Sequence, residues 1–204
     1  MNRETTSPLL AVLSGPSGVG KDVLLIKLRG AKTKFYSPVT VTTRPKRPKE
    51  KDGVDYHFVS DERFEEMKSQ GELLEWAMVY DYNYGVPKSH VKELLAAEHD
   101  VIIKVDVQGA VNIKRIWSEA ILIFLAPPCM EELKRRITHR KTESSDVLQL
   151  RLKKAEEEMQ SQSLFDYVVV NYEDRLLQAV EEIDAIAIAE KCKVKPRVFD
   201  LDRC

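Results

Sequence analysis

The run Gly15-Pro16-Ser17-Gly18-Val19-Gly20-Lys21-Asp22 constrains this chain more than any other segment. It follows the apolar stretch Leu9 to Leu13 and precedes the helical pattern Val23 to Leu28. Glycines at this spacing let the backbone curl so that successive N–H groups point inward, and a helix opening directly afterwards adds unpaired donors and the positive end of its dipole. Strand, curled loop and helix in that order form the first unit of a βαβ series. The loop fits the G-x-x-x-x-G-K-[ST] pattern of a triphosphate seat, with Lys21 as a point charge for the β and γ phosphates. Asp22 stands where that pattern places a Ser or Thr hydroxyl that reaches Mg²⁺. A carboxylate there can ligate Mg²⁺ directly or through water. It can equally do no more than favour a helix N-terminus.

The rest of the chain continues the series. Val101 to Val105, Ile121 to Leu125 and Tyr167 to Val170 are apolar runs interrupted only by Lys104, as expected of strands covered on both faces. Helical patterns lie at Val111 to Trp117, Glu131 to Thr138, Val147 to Gln160 and Leu176 to Glu190. These predict one three-layer α/β/α domain with a parallel central sheet, its core formed by residues 8–36, 90–135 and 152–191. Between 37 and 89 the texture changes, because Pro38, Pro45, Pro48, Gly53, Gly71, Gly85 and Pro87 break the chain into short pieces. A small mixed subdomain is expected there, with Ser60 capping a short helix from Asp61. The polar, charged stretch 136–151 reads as a helical lid, and the tail 192–204 is unclassified.

Charge balance limits the partners. The 32 basic and 33 acidic side chains nearly cancel, so no overall positive field favours nucleic acid. No apolar run reaches the roughly 18 residues that cross a bilayer. Three widely spaced cysteines without metal-ligand spacing read as reduced thiols of a cytoplasmic protein.

In Thr40-Val41-Thr42-Thr43-Arg44-Pro45-Lys46-Arg47-Pro48 the prolines stiffen the backbone around two guanidinium groups, a display suited to phosphate. Asp55-Tyr56, Glu75-Trp76, Tyr82-Asn83-Tyr84-Gly85 and Asp106-Val107-Gln108-Gly109 follow. Singly, each is weak. In this order behind a phosphate loop they resemble the guanylate kinase family from about Leu9 to Lys191. The resemblance implies transfer of a phosphoryl group from Mg-ATP to GMP, and to dGMP, by a monomer or homodimer. It assigns Gly15, Pro16, Ser17, Gly18, Val19, Gly20, Lys21, Asp22 and Asn171 to ATP. It assigns Arg44, Arg47, Tyr56 and Tyr84 to the GMP phosphate, and Thr40, Glu75 and Asp106 to the guanine side. Asp106 would also belong to a metal-linked water network, with Asp22 as a second metal candidate. Of the implied catalytic residues, Lys21, Arg136, Arg140 and Arg151 stabilise the moving phosphoryl group, and Arg44, with Arg47, keeps the two anions in line.

Two further positions depart from the family pattern. Val86 replaces a frequent Ser or Thr beside guanine, and Lys104 replaces a frequent acidic residue; Lys104 is expected to snorkel from a strand end. The chemistry of Glu75 supports its role independently. Guanine offers N1–H and the N2 amine side by side, a paired donor edge that a carboxylate accepts and adenine lacks. Two alternatives stay open: a domain of this fold that uses its acceptor face to bind peptides, and a kinase for another phosphorylated acceptor.

Overall fold

A computed structural model describes residues 7–30, 35–79, 81–138 and 145–199. The strand β1 (Leu10–Ser14) is wholly buried and sits at the centre of the main sheet. Its neighbours are β7 (Asp100–Lys104) on one side and β8 (Ile121–Ala126) on the other, with β2 (Phe35–Tyr36) and β9 (Tyr167–Val170) outermost. All four pairings are parallel. Continuous apolar runs are what such strands need, because alternate side chains enter opposite layers.

That alternation is visible along β1. Ala11 and Leu13 join an apolar layer with α1 (Lys21–Gly30), α5 (Met130–Thr138), α6 (Ser145–Gln160) and α7 (Leu176–Lys191). Leu10 and Val12 join the opposite layer with α3 (Lys88–Ala96), α4 (Val107–Ile116) and the fully buried Trp117. The three-layer arrangement expected from the sequence is therefore present.

The small subdomain is a mixed four-stranded sheet in the order β4 (Tyr56–Phe58), β3 (Thr40–Thr42), β6 (Tyr82–Pro87), β5 (Leu73–Val79). β3 runs parallel to β4 and antiparallel to β6. The helix α2 (Asp61–Ser69) starts where predicted, with the Ser60 hydroxyl accepting from the Arg63 N–H at 3.2 Å. Phe64 and Met67 pin it to the sheet through Val41 and Leu73.

Two expectations need correction, and a third falls partly outside the described residues. The chain leaves the subdomain at Lys88, where α3 begins and buries Val91 and Leu95 under the core, so a helix occupies a stretch read as the end of a broken segment. Helix α4 starts at Val107 instead of Val111, because Asp106 caps it by accepting from the Gly109 N–H at 2.8 Å. The proposed lid spans the last turn of α5 and the first part of α6; Arg140 lies outside the described residues.

The tail also gains a place. Glu190, 1% exposed, is paired with Lys193 and Arg197, and Arg197 donates to the Glu119 carbonyl at 3.0 Å. Burial alone would raise the Glu190 carboxyl, but Arg197, Lys193 and Tyr167 hold it down to about 2. Phe199 then stands edge-on to Trp117. No helix among the described residues is long and apolar enough to cross a membrane.

Candidate active site

The glycine loop leaves the C-terminal end of β1 and curls tightly, with Gly15, Gly18 and Gly20 all at positive φ. Gly15 allows the closest approach. A Cβ there would lie 2.2 Å from the Leu125 carbonyl oxygen of β8. Val19 is fully buried and anchors the tip of the loop in the core. The Asn171 amide, just beyond β9, donates to the Val19 carbonyl at 2.8 Å, so this residue braces the loop from beneath.

Helix α6 reaches the same loop. Glu158 accepts from the Ser17 N–H at 2.9 Å, and Arg151, only 4% exposed, donates to the Ser17 hydroxyl at 3.3 Å. From α5, Arg136 donates to the carbonyls of Val19 and Asn171 while pairing with Glu132. Lys21 turns back onto the carbonyls of Gly15 and Pro16. Burial lowers its ammonium to about 8, with Glu158 opposing that shift and Lys104 adding to it. Glu158 was not singled out in the sequence, where it is one of three successive glutamates on a polar helix face. Its carboxyl is pushed up by burial and partly drawn back by the Ser17 N–H and Lys21.

Facing the loop, the mixed sheet presents a second group. Arg44 is 9% exposed, and its Nη2 donates to both oxygens of Glu50, at 2.8 and 3.0 Å. Glu50 also accepts from the Arg47 N–H at 2.9 Å, while Arg47 itself is exposed. Tyr56 and Tyr84 stand edge to face with ring centroids 6.0 Å apart, and the Arg44 guanidinium lies 5.6 Å from the Tyr56 ring. The structure thus brings Arg44, Tyr56 and Tyr84 together. It adds Glu50, a carboxylate hidden in the sequence within a charged loop.

Glu75 on β5 is 8% exposed, and its carboxyl is raised to about 7, first by burial and then by the charge of Asp106. Neither cause is a partner that would stabilise its charge. It rests directly on Gly109: a Cβ there would stand 2.6 Å from the Glu75 carboxyl carbon. Gly109 was quoted in the sequence without a role, and its role is to leave room for this carboxylate. Asp106 acts electrostatically on both Glu75 and Lys21, so its charge is felt by the buried carboxylate and by the phosphate loop. Thr40 opens β3 in register with Tyr56.

The two departures sit in different surroundings, and one of them overturns an expectation. Val86 is 2% exposed and packs with Leu74 and Val91 in the apolar layer. Lys104 does not snorkel. Its ammonium forms an ion pair with Asp22 and donates to the Tyr56 hydroxyl at 3.0 Å. Burial would lower its pKa, but Asp22 and then Tyr56 more than offset this and hold it charged.

Fold and loop together place the chain among the phosphate-loop nucleotide kinases. Comparison with known proteins narrows that class. The family model described as guanylate kinase matches residues 7–190, and the chain belongs to the guanylate kinase family. It is 44% identical over 195 residues to guanylate kinase 2, chloroplastic/mitochondrial, of Oryza sativa subsp. japonica, covering 95% of this chain and 68% of the relative. It is 43% identical over 198 residues to the guanylate kinase of Desulfitobacterium hafniense, covering 96% and 98%. Its fold is similar to the crystal structure of guanylate kinase from Anaplasma phagocytophilum, with a TM-score of 0.75 and 32% identity over 94% of this chain and 89% of that one. The chain is an enzyme of phosphoryl transfer to GMP.

Proposed function

We propose that this enzyme transfers the γ-phosphate of Mg-ATP to GMP, and to dGMP, giving ADP and the nucleoside diphosphate. The observation that carries this reading is the buried carboxylate of Glu75. A carboxylate raised to about 7 with no stabilising partner among the described residues is costly to ionise, and the N1–H and N2 amine of guanine supply the two donors it lacks. Adenine would leave that carboxylate unpaired. Sites built on such hydrogen bonds discriminate by about 10⁴-fold or more.

The other residues divide the remaining work. Arg44, Arg47, Tyr56 and Tyr84 receive the acceptor phosphate, for which Arg44 leaves Glu50. The loop amides from Gly15 to Lys21 receive the donor phosphates, for which Ser17 leaves Glu158. Arg136, Arg140 and Arg151 offset charge on the transferring oxygens, and Asn171 keeps the loop in shape. An acceptor phosphate oxygen is already an anionic nucleophile, so the chain needs alignment and charge neutralisation and no general base.

Asp106 and Asp22 both act on Lys21, which puts hard oxygen donors beside the phosphate loop. Among the described residues no group of three or more His, Cys, Asp or Glu forms a cage for a metal. This donor set fits Mg²⁺, which takes one or two carboxylates plus phosphates and keeps several waters. Asp22 and Asp106 would hold Mg²⁺ there, and the ion would supply positive charge to offset that of the phosphates.

A coupled ADP-release assay with Mg-ATP and GMP, dGMP, AMP, CMP, UMP or dTMP tests the proposal. GMP is expected to be turned over best, dGMP next, and the others barely above a control without acceptor. Comparable rates with AMP or UMP would overturn it.

A further inference from the structure

Lys104 occupies a position that none of the roles above explains. It ends β7 directly beside Leu13, the residue that precedes Ser14 and the glycine loop. Its ammonium contacts two parts of the molecule at once: Asp22 on the first turn of α1, and Tyr56 on β4 of the small sheet. The same Tyr56 ring is flanked by two cations, with the Arg44 guanidinium 5.6 Å and the Lys104 ammonium 5.4 Å from its centroid. Lys104 also acts on Lys21. One cation therefore stands between the loop lysine and the tyrosine of the acceptor-phosphate group.

Resting on the reading of this enzyme as a GMP kinase, we propose that Lys104 is a further binding residue for the acceptor phosphate and that Asp22 is the positioning carboxylate that holds it there. An ammonium has three N–H donors. Asp22 and Tyr56 take two, in directions that span the gap between the phosphate loop and the small sheet, leaving one for an oxygen of the incoming phosphate. The side chain is about one-fifth exposed, enough to meet a ligand and little enough for its charge to act through low dielectric. Asp22 is much more exposed, so it can hold Lys104 without being locked beneath it. Asp22 and Lys104 both depart from the family pattern, and the two departures are paired with each other in the structure. Asp22 then serves the reaction through Lys104, whatever it also offers to Mg²⁺.

The test uses the full chain without Mg-ATP. GMP and guanosine are titrated calorimetrically, guanosine by competition, into the wild type, Lys104→Met, Lys104→Arg, Asp22→Asn and the Asp22→Asn, Lys104→Met double variant. Thermal unfolding confirms that each is folded. Lys104→Met is expected to weaken GMP by about 10-fold or more while guanosine, which lacks the phosphate, stays within about 2-fold. Lys104→Arg keeps most of the GMP affinity. Asp22→Asn weakens GMP by about 3- to 10-fold alone and adds nothing further to Lys104→Met, the signature of residues acting as a pair. Unchanged GMP affinity in Lys104→Met, or an equal loss for guanosine, would overturn the phosphate assignment. Additive losses would detach Asp22 from it. A wild type that binds no GMP would remove the underlying kinase reading, a result distinct from either.

Discussion

The substitution Glu75→Gln separates what this site costs in stability from what it does for binding. Glu75 has a folded-state pKa of about 7 against an ordinary 4.5. Between those values the folded state binds the extra proton, so stability falls as pH rises, and the penalty is complete above about 7. At about 1.4 kcal/mol per pKa unit, the wild type should lose roughly 2.5 kcal/mol between pH 5 and pH 8 from this group alone. Glutamine does not titrate there. The difference in Tm between variant and wild type should therefore rise by about 5–10 °C from pH 5 to pH 8, at 2–4 °C per kcal/mol for a chain of this size. Thermal unfolding followed by circular dichroism at pH 5, 6, 7 and 8 measures it. Binding should move the other way. Wild-type GMP affinity should drop about 10-fold per pH unit below 7 as the carboxylate is protonated. The variant should bind weakly with a shallower profile that reports only the ligand phosphate. A Tm difference that does not vary with pH would refute the claim that burial raises the Glu75 carboxyl.

Gly109→Ala should raise the GMP KM by about 10-fold or more with little change for Mg-ATP, although alanine favours a helix interior by about 1 kcal/mol. Its methyl would displace the Glu75 carboxylate, and unchanged GMP kinetics would contradict that contact. Gly15→Ala should destabilise the fold by about 3 kcal/mol or more in urea denaturation, since the new Cβ collides with the Leu125 carbonyl at a positive φ. A midpoint close to wild type would show that β8 yields more than its packing suggests. Lys21→Met should lower kcat by about 100-fold or more while raising Tm, because a buried ammonium drawn down to about 8 opposes folding at neutral pH. A lower Tm would show that its contacts to Gly15 and Pro16 outweigh the burial.

The central sheet was legible because β1, β7 and β8 bury both faces and so read as unbroken apolar runs. Helix α3 was not, because it buries only Val91 and Leu95 and begins directly after Pro87, in a stretch whose prolines and glycines announce turns. Gly109 masked the first turn of α4 in the same way: an interior glycine reads as a break until Glu75 is seen to require it. The loop residues of the site could be read from spacing. Its counter-charges could not. Glu50 and Glu158 resemble any solvated glutamate, and the pairing of Lys104 with Asp22 joins positions 82 residues apart, beyond the reach of any local pattern.

The parallel pairing of β1 with β7 sets a dimension of the chemistry. Leu13 lies opposite Lys104, so the segment that leads into the glycine loop and the one that carries Lys104 leave the sheet one strand apart, a separation of about 4.8 Å. On the roles proposed above, the spacing between the glycine loop and Lys104 is set by the hydrogen-bonded ladder, and the small sheet joins that frame where Lys104 donates to Tyr56.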